Sequence, residues 1–156
     1  MPTIRCAQVA DAVDLAALVE EYWAFERIGG FDRARVEKSL RTLAAEPGRG
    51  ACWIAEHRGA TAGYLIAVYM LSLEFGGIAA EIDEFFVRPA WRGTGVGAAL
   101  LGECEREMRR AGIVRVQLQL AVANERARGF YRQHGFQQRS GYELLDKPLA
   151  SLDRPA

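Results

Sequence analysis

The stretch Val87-Arg88-Pro89-Ala90-Trp91-Arg92-Gly93-Thr94-Gly95-Val96-Gly97-Ala98 decides the fold of this chain. Before it lies Ile78 to Val87, a β-type run that Pro89 terminates. After it, Val96, Leu100, Cys104 and Met108 step by four and mark one face of a helix from Gly95 to Ala111. The joint therefore reads as strand, glycine turn, helix. Glycines at alternate positions let backbone N–H groups converge without obstruction from Cβ atoms. They do so where a helix N-terminus offers unpaired donors and partial positive charge, which suits a phosphate. A Walker loop would need G-K-[S/T], and Gly97 is followed by Ala98-Ala99. A dinucleotide fold would need G-x-G-x-x-G and an acid about 20 residues on. Here the spacing is G-x-G-x-G, and the next strand carries Gln117 and Gln119 instead. The cradle is for another phosphate ligand.

Toward the N-terminus, Thr3 to Ala7 reads as a short strand, with Asp11 or Asp14 placed to cap the helix that follows. Leu15, Leu18, Val19 and Tyr22 form its apolar stripe, and Gly29-Gly30 interrupts it. A second amphipathic helix runs from Asp32 to Ala45 with Val36, Leu40 and Leu43 on one side, and Pro47-Gly48 ends it. Cys52 to Ala55 and Ala62 to Tyr69 read as strands around the turn His57-Arg58-Gly59-Ala60. Toward the C-terminus come a buried strand from Ile113 to Val122 (Val114, Val116, Leu118, Leu120), a helix from Asn124 to His134, and a last strand from Tyr142 to Leu145. The order βααβββαβαβ mixes antiparallel hairpins with one β-α-β crossover. It implies an α/β or α+β sheet flanked by helices, as one domain over residues 1–150 with a frayed tail at 151–156.

Composition narrows the function. The chain has 156 residues, and its 20 Lys+Arg balance 20 Asp+Glu. That neutrality argues against a nucleic-acid partner. No apolar run reaches the ~20 residues of a membrane span, and the N-terminus has no apolar signal core. Cys6, Cys52 and Cys104 are odd in number and widely spaced, which fits a reducing cytoplasm rather than a disulfide framework. Cys52 and Cys104 read as small core residues rather than nucleophiles. The two histidines, His57 and His134, have no metal-ligand spacing around them, so no metal is expected.

A second informative stretch is Asn124-Glu125-Arg126-Ala127-Arg128-Gly129-Phe130-Tyr131-Arg132-Gln133-His134-Gly135-Phe136. Asn124 can cap this helix and Gly135 can end it, which suffices to account for both. Tyr131 could be an ordinary core tyrosine. Together, however, the two stretches resemble the Gcn5-related N-acetyltransferase (GNAT) family. R-G-T-G-V-G matches its R/Q-x-x-G-x-G/A loop, and N-E-R-A-R-G-F-Y-R-Q-H-G-F matches its N-x-x-A-x-x-F-Y-x-x-x-G-F segment. The resemblance implies a splayed, mostly antiparallel sheet and acetyl-CoA as co-substrate. It implies that Arg92, Gly93, Thr94, Gly95, Val96, Gly97 and Ala98 hold the pyrophosphate, chiefly through backbone amides. The backbone of Phe85, Phe86 and Val87 would pair with the pantetheine arm. Asn124 and Ala127 would contact the cofactor, and Tyr131 would lie near its sulfur and protonate the leaving thiolate. It further implies direct acetyl transfer to an amine without an acyl-enzyme, and homodimers among many relatives.

The proton acceptor is sought on the strand Ala80-Glu81-Ile82-Asp83-Glu84-Phe85-Phe86-Val87. Simple alternation puts Glu81 and Asp83 on one face and Glu84 on the other, whereas a bulge would reverse that parity and favour Glu84. I-D-E-F-F-V also looks like the E-D-F-F-V segment of spermidine/spermine acetyltransferases, which lands the base on Asp83, with the order of acids inverted. Glu20, Glu21 and Glu26 cluster near Gly29-Gly30, where the family builds its acceptor site. The expected activity is N-acetylation of a small primary amine such as a polyamine, amino acid or aminoglycoside. Acetylation of a protein N-terminus or lysine, and a non-catalytic acyl-CoA-binding module, are the alternatives.

Overall fold

The computed structural model describes residues 1–150. The expected frayed tail lies outside the described residues. The chain falls into two compact units, Met1–Leu118 and a second that begins at Gln119.

The first unit is built on a five-stranded sheet in the order β1-β2-β3-β4-β5. Its strands are β1 (Thr3–Cys6), β2 (Gly50–His57), β3 (Ala60–Ser72), β4 (Gly77–Val87) and β5 (Arg115–Leu118). The first three pairings are antiparallel; β4 and β5 are parallel and joined by a helix, as the crossover reading expected. The helices are α1 (Ala12–Glu26), α2 (Arg33–Ala45) and α3 (Val96–Arg110). Alternation along the strands separates two cores. Cys52, Ile54, Tyr64, Ile66 and Phe86 pack with Leu15, Leu18 and Val19 of α1 and Leu40 of α2. The four-step stripe of α3 is wholly buried, and the Trp53 indole N–H ties β2 to that helix by donating to Glu107 at 2.6 Å.

Turn chemistry agrees with these elements. Arg58 and Gly59, the central residues of the β2–β3 hairpin, both have positive φ (51° and 76°), as a two-residue hairpin turn of the I′ type demands. Asp32 caps α2 by accepting the Arg35 N–H at 2.9 Å. Asp11 does not cap α1 with its side chain. Its carboxylate instead takes two guanidinium bonds from Arg5 at 2.8 Å and the Gln8 N–H at 2.7 Å, so charge-assisted partners win over a neutral cap. Asp14 lies inside α1.

The decisive departure from regular alternation is in β4. Ile66 pairs with Glu84 and Ala67 with Ile82, so Asp83 is an extra residue without a partner position on β3. Glu81 stands opposite Val68 and Glu84 opposite Ile66. Val68 and Ile66 are two residues apart and share a face, so Glu81 and Glu84 share one too. The expectation that Glu84 points away from the face of Glu81 is therefore overturned by the bulge.

In the second unit, α4 spans Glu125–Gln133. The Asn124 side chain accepts the Ala127 N–H at 3.1 Å, and Gly135 (φ 85°) closes the helix while the Phe136 N–H returns to the Tyr131 carbonyl. Two strand readings need correction. The run expected from Ile113 to Val122 is a strand only over Arg115–Leu118, at the edge of the sheet, and Val114 is 52% exposed rather than buried. Tyr142 to Leu145 forms no strand: the side chains are β-type but exposed, and a short extended run without a ladder is not stable.

Candidate active site

The joint between β4 and α3 takes its shape from three successive devices. Pro89–Trp91 forms a single 3₁₀ turn, closed by the Arg92 N–H on the Pro89 carbonyl at 3.2 Å. Arg92 then folds back: its Nε donates to the Val87 carbonyl at 2.8 Å, and its guanidinium lies 4.3 Å from the centre of the Phe25 ring. Thr94 donates its hydroxyl to the Trp91 carbonyl at 2.7 Å. Gly93 (φ 75°) and Gly95 (φ 89°) supply left-handed backbone that other residues adopt at a cost. A Cβ at either would meet nothing within 4 Å, so the missing side chains leave open space rather than relieve crowding. Val96 is buried, so only its backbone is available to a ligand. The amides of Val96, Gly97 and Ala98 begin α3 and have no intrahelical acceptors.

The same β4 carries the carboxylates. The β4–β5 ladder ends at Ile82 with Leu118, while β4 continues to Val87, beyond β5. The side chain of Phe86 is core, against Tyr22, Tyr64 and Phe25. Glu84 is half-buried and held at both oxygens: the Trp23 indole N–H donates to Oε1 and the Tyr64 hydroxyl to Oε2, each at 2.7 Å. Burial pushes its carboxyl above the ordinary range, and those two bonds act against that shift. Asp83 touches solvent but sits in a concave wall; its lost hydration, then the charge of Glu81, pushes its carboxyl up as well. Glu81 itself accepts from the Gln117 amide at 3.0 Å.

Asp83 and Glu84 line one cleft of about 310 Å³ between the sheet and helices α1 and α2, with Trp23, Val36 and Leu40 among its walls. Trp23 and Tyr64 were missing from the residues read off the sequence. Their signal was available: inward-facing Trp and Tyr need acceptors for their N–H and O–H. Two of the three acids near Gly29-Gly30 are otherwise engaged. Glu20 is paired with Arg33, and Glu21 holds Arg88 through two bonds of 2.6 and 2.9 Å. These two therefore supply no free charge for a cationic acceptor.

Asn124, Ala127 and Tyr131 lie on or beside α4 of the second unit. The Asn124 carbonyl oxygen is engaged in capping, and the half-buried Tyr131 ring packs edge-on against Phe130 and Phe136 at 5.4 and 5.3 Å. Cys6, Cys52 and Cys104 are free thiols, and the last two are buried with their thiols pushed up by desolvation, so they are poor nucleophiles. No helix is long and apolar enough to cross a membrane among the described residues.

An open, mostly antiparallel sheet whose fourth strand runs through two adjacent carboxylates into a glycine-turned helix sets acid groups and an anion-type cradle on one strand. Residues 15–136 match the acetyltransferase (GNAT) family. The chain belongs to that family. Among curated proteins it is similar to an uncharacterized N-acetyltransferase of Methanocaldococcus jannaschii, with 38% identity over 60 residues, or 38% of this chain and 26% of that protein. The chain thus spans about a quarter of that relative's length in the match. Among solved structures it is similar to an integron cassette protein from the mobile metagenome of Cole Harbour Salt Marsh (TM-score 0.83, 28% identity, 94% of this chain and 90% of that one). It also shares its fold with a predicted acetyltransferase from Clostridium acetobutylicum solved with acetyl-CoA (TM-score 0.79, 18% identity, 94% and 96%). The open glycine turn and the first amides of α3 are suited to a phosphate anion.

Proposed function

We propose that this chain moves an acetyl group from acetyl-CoA directly to a primary amine of a small molecule. The observation that carries this reading is the continuity of β4: one strand holds two carboxylates with raised proton affinity and leads straight into the anion cradle. Acetyl-CoA supplies an acyl group activated as a thioester. The residues from Arg92 to Ala98 hold its pyrophosphate, Val96 by its amide alone. The backbone of Phe85, Phe86 and Val87 aligns the pantetheine, and Asn124 and Ala127 complete the contact.

A primary amine with a pKa near ~10.4 is protonated at neutral pH and must lose a proton before it attacks. We assign that proton to Glu84, with Asp83 beside it as the rival base. Glu84 is turned into the cleft by the bulge, and its two donors fix its orientation while leaving a further lone pair on each oxygen. Tyr131 protonates the departing thiolate. Polyamines, amino acids and aminoglycosides are the acceptor classes in play, and a homodimer in a reducing cytoplasm is part of the same proposal.

The test is release of CoA thiol from acetyl-CoA on addition of amines, in the parent and in Tyr131→Phe. Amine-dependent release is expected, and loss of the hydroxyl should lower kcat by roughly 10²–10⁴-fold while CoA affinity survives. A chain that binds CoA yet releases no thiol with small amines or peptides would be a binding module. Release with peptides alone would move the acceptor to protein amines.

A further inference from the structure

The acid-floored cleft does not end at Glu84. A second, larger cavity of about 670 Å³ adjoins it, and the two share Arg35, Ser39, Leu43 and Val68 as walls. The larger cavity adds Lys38, Thr42, Arg49 and Tyr69, with no carboxylate in its lining. Asp83 and Glu84 line only the smaller cavity, Lys38 and Arg49 only the larger, and Arg35 stands in the wall the two have in common.

Those cations differ in how far they are neutralised. Arg49 is paired with Glu46. Arg35 donates to the Gly30 carbonyl at 2.7 Å, a neutral acceptor that leaves its charge intact. Lys38 has no ion-pair partner among the described residues. Arg41, by contrast, pairs with Glu37 and lies outside the cavity lining. The separation of the two ends follows from the sheet. Glu84 stands opposite Ile66, and the basic end is reached at Tyr69, whose N–H donates to the Arg49 carbonyl at 2.8 Å. Three residues of strand at ~3.3 Å each span about 10 Å.

We propose that the acceptor is an amine that also carries an anionic group, a carboxylate or a phosphate, about 10 Å from its nitrogen. The amine lies at Asp83 and Glu84, and the anion at Lys38, with Arg35 in the shared wall beside it. A polyamine of that length would set its far cation among like charges, and an α-amino acid is too short to reach both ends. This inference rests on the acetyl-transfer reading for the amine end only.

The experiment compares 8-aminooctanoate, 7-aminoheptyl phosphate and 1,8-diaminooctane, probes of similar length with different far ends. Binding is measured by calorimetry on the CoA-bound protein, and turnover by thiol release, in the parent, Lys38→Glu and Arg41→Glu. Both variants change the protein's charge by the same amount on the same helix. The anionic probes should bind about tenfold or more tightly than the diamine in the parent. Lys38→Glu should erase or reverse that ratio, and Arg41→Glu should keep it; whichever anionic probe binds better identifies the anion. Tighter binding of the diamine to the parent, or equal shifts in both variants, overturns the inference. Retained preference without thiol release from any probe supports the cleft's selectivity and overturns the acetyl-transfer reading instead.

Discussion

Glu84 shows how a single side chain acquires its chemistry from its neighbours. In water its carboxyl would titrate near 4.5; half-buried among Trp23, Tyr64 and the strand, it holds its proton to higher pH. The Trp23 indole can only donate, so the lone pair it occupies stays an acceptor and the proton must arrive elsewhere on the carboxylate. The sign of the resulting linkage is definite. The folded state binds the proton more tightly than the unfolded state, so this group's contribution to stability falls as pH rises from 4.5 through the raised value. Glu84→Gln removes that slope. Denaturant unfolding between about pH 4 and 8 should show the variant gaining on the parent as pH rises. In activity, Glu84→Gln should lower kcat/KM more than Asp83→Asn, with partial recovery at high pH, where the free amine becomes abundant. A larger loss and the recovery in Asp83→Asn would move the base one residue back.

At the scale of elements, β3 and β4 approach closely where a Cβ on Gly63 would lie 2.4 Å from the Phe86 carbonyl oxygen. That oxygen is backbone and cannot swing aside, so Gly63→Ala should force the strands apart next to the carboxylate face. A cost of about 1–3 kcal/mol is expected in denaturant unfolding, and an unchanged midpoint would show that the strands can part freely. The helices and the glycine turn were legible in the sequence because each carries a local signal: a four-step stripe, an Asp32 or Asn124 cap, a Gly135 stop. The bulge was open in the sequence only as an alternative, because Glu-Ile-Asp-Glu-Phe contains no glycine or proline to mark it and the extra position is fixed by pairing with β3. Nothing local marked the pairing of Glu21, whose partner Arg88 lies 67 residues away, or the fate of Tyr142 to Leu145, where β-type side chains found no ladder.

For the molecule as a whole, stability and ligand binding are linked through the glycine turn. Every buried residue among those described lies at or before Met108, so the first unit holds the hydrophobic core and the second contributes none of it. A ligand that binds only the folded cradle adds RT ln(1 + [L]/Kd), about 2.7 kcal/mol at a hundredfold excess over Kd. For a chain of this size that is a rise in Tm of roughly 5–10 °C. Gly95→Val should abolish most of the rise given by CoA, because its side chain would enter the open space beside the helix amides. The substitution also strains a φ of 89° and lowers the baseline by itself. Gly59→Val separates the two effects: that glycine has a φ of 76°, equally open surroundings and a place in the β2–β3 hairpin turn. Its baseline should fall while the CoA-dependent rise stays intact. If Gly95→Val keeps the full rise, the ligand's phosphates are held somewhere other than the turn between β4 and α3; if Gly59→Val loses it too, backbone strain rather than occupancy governs the response.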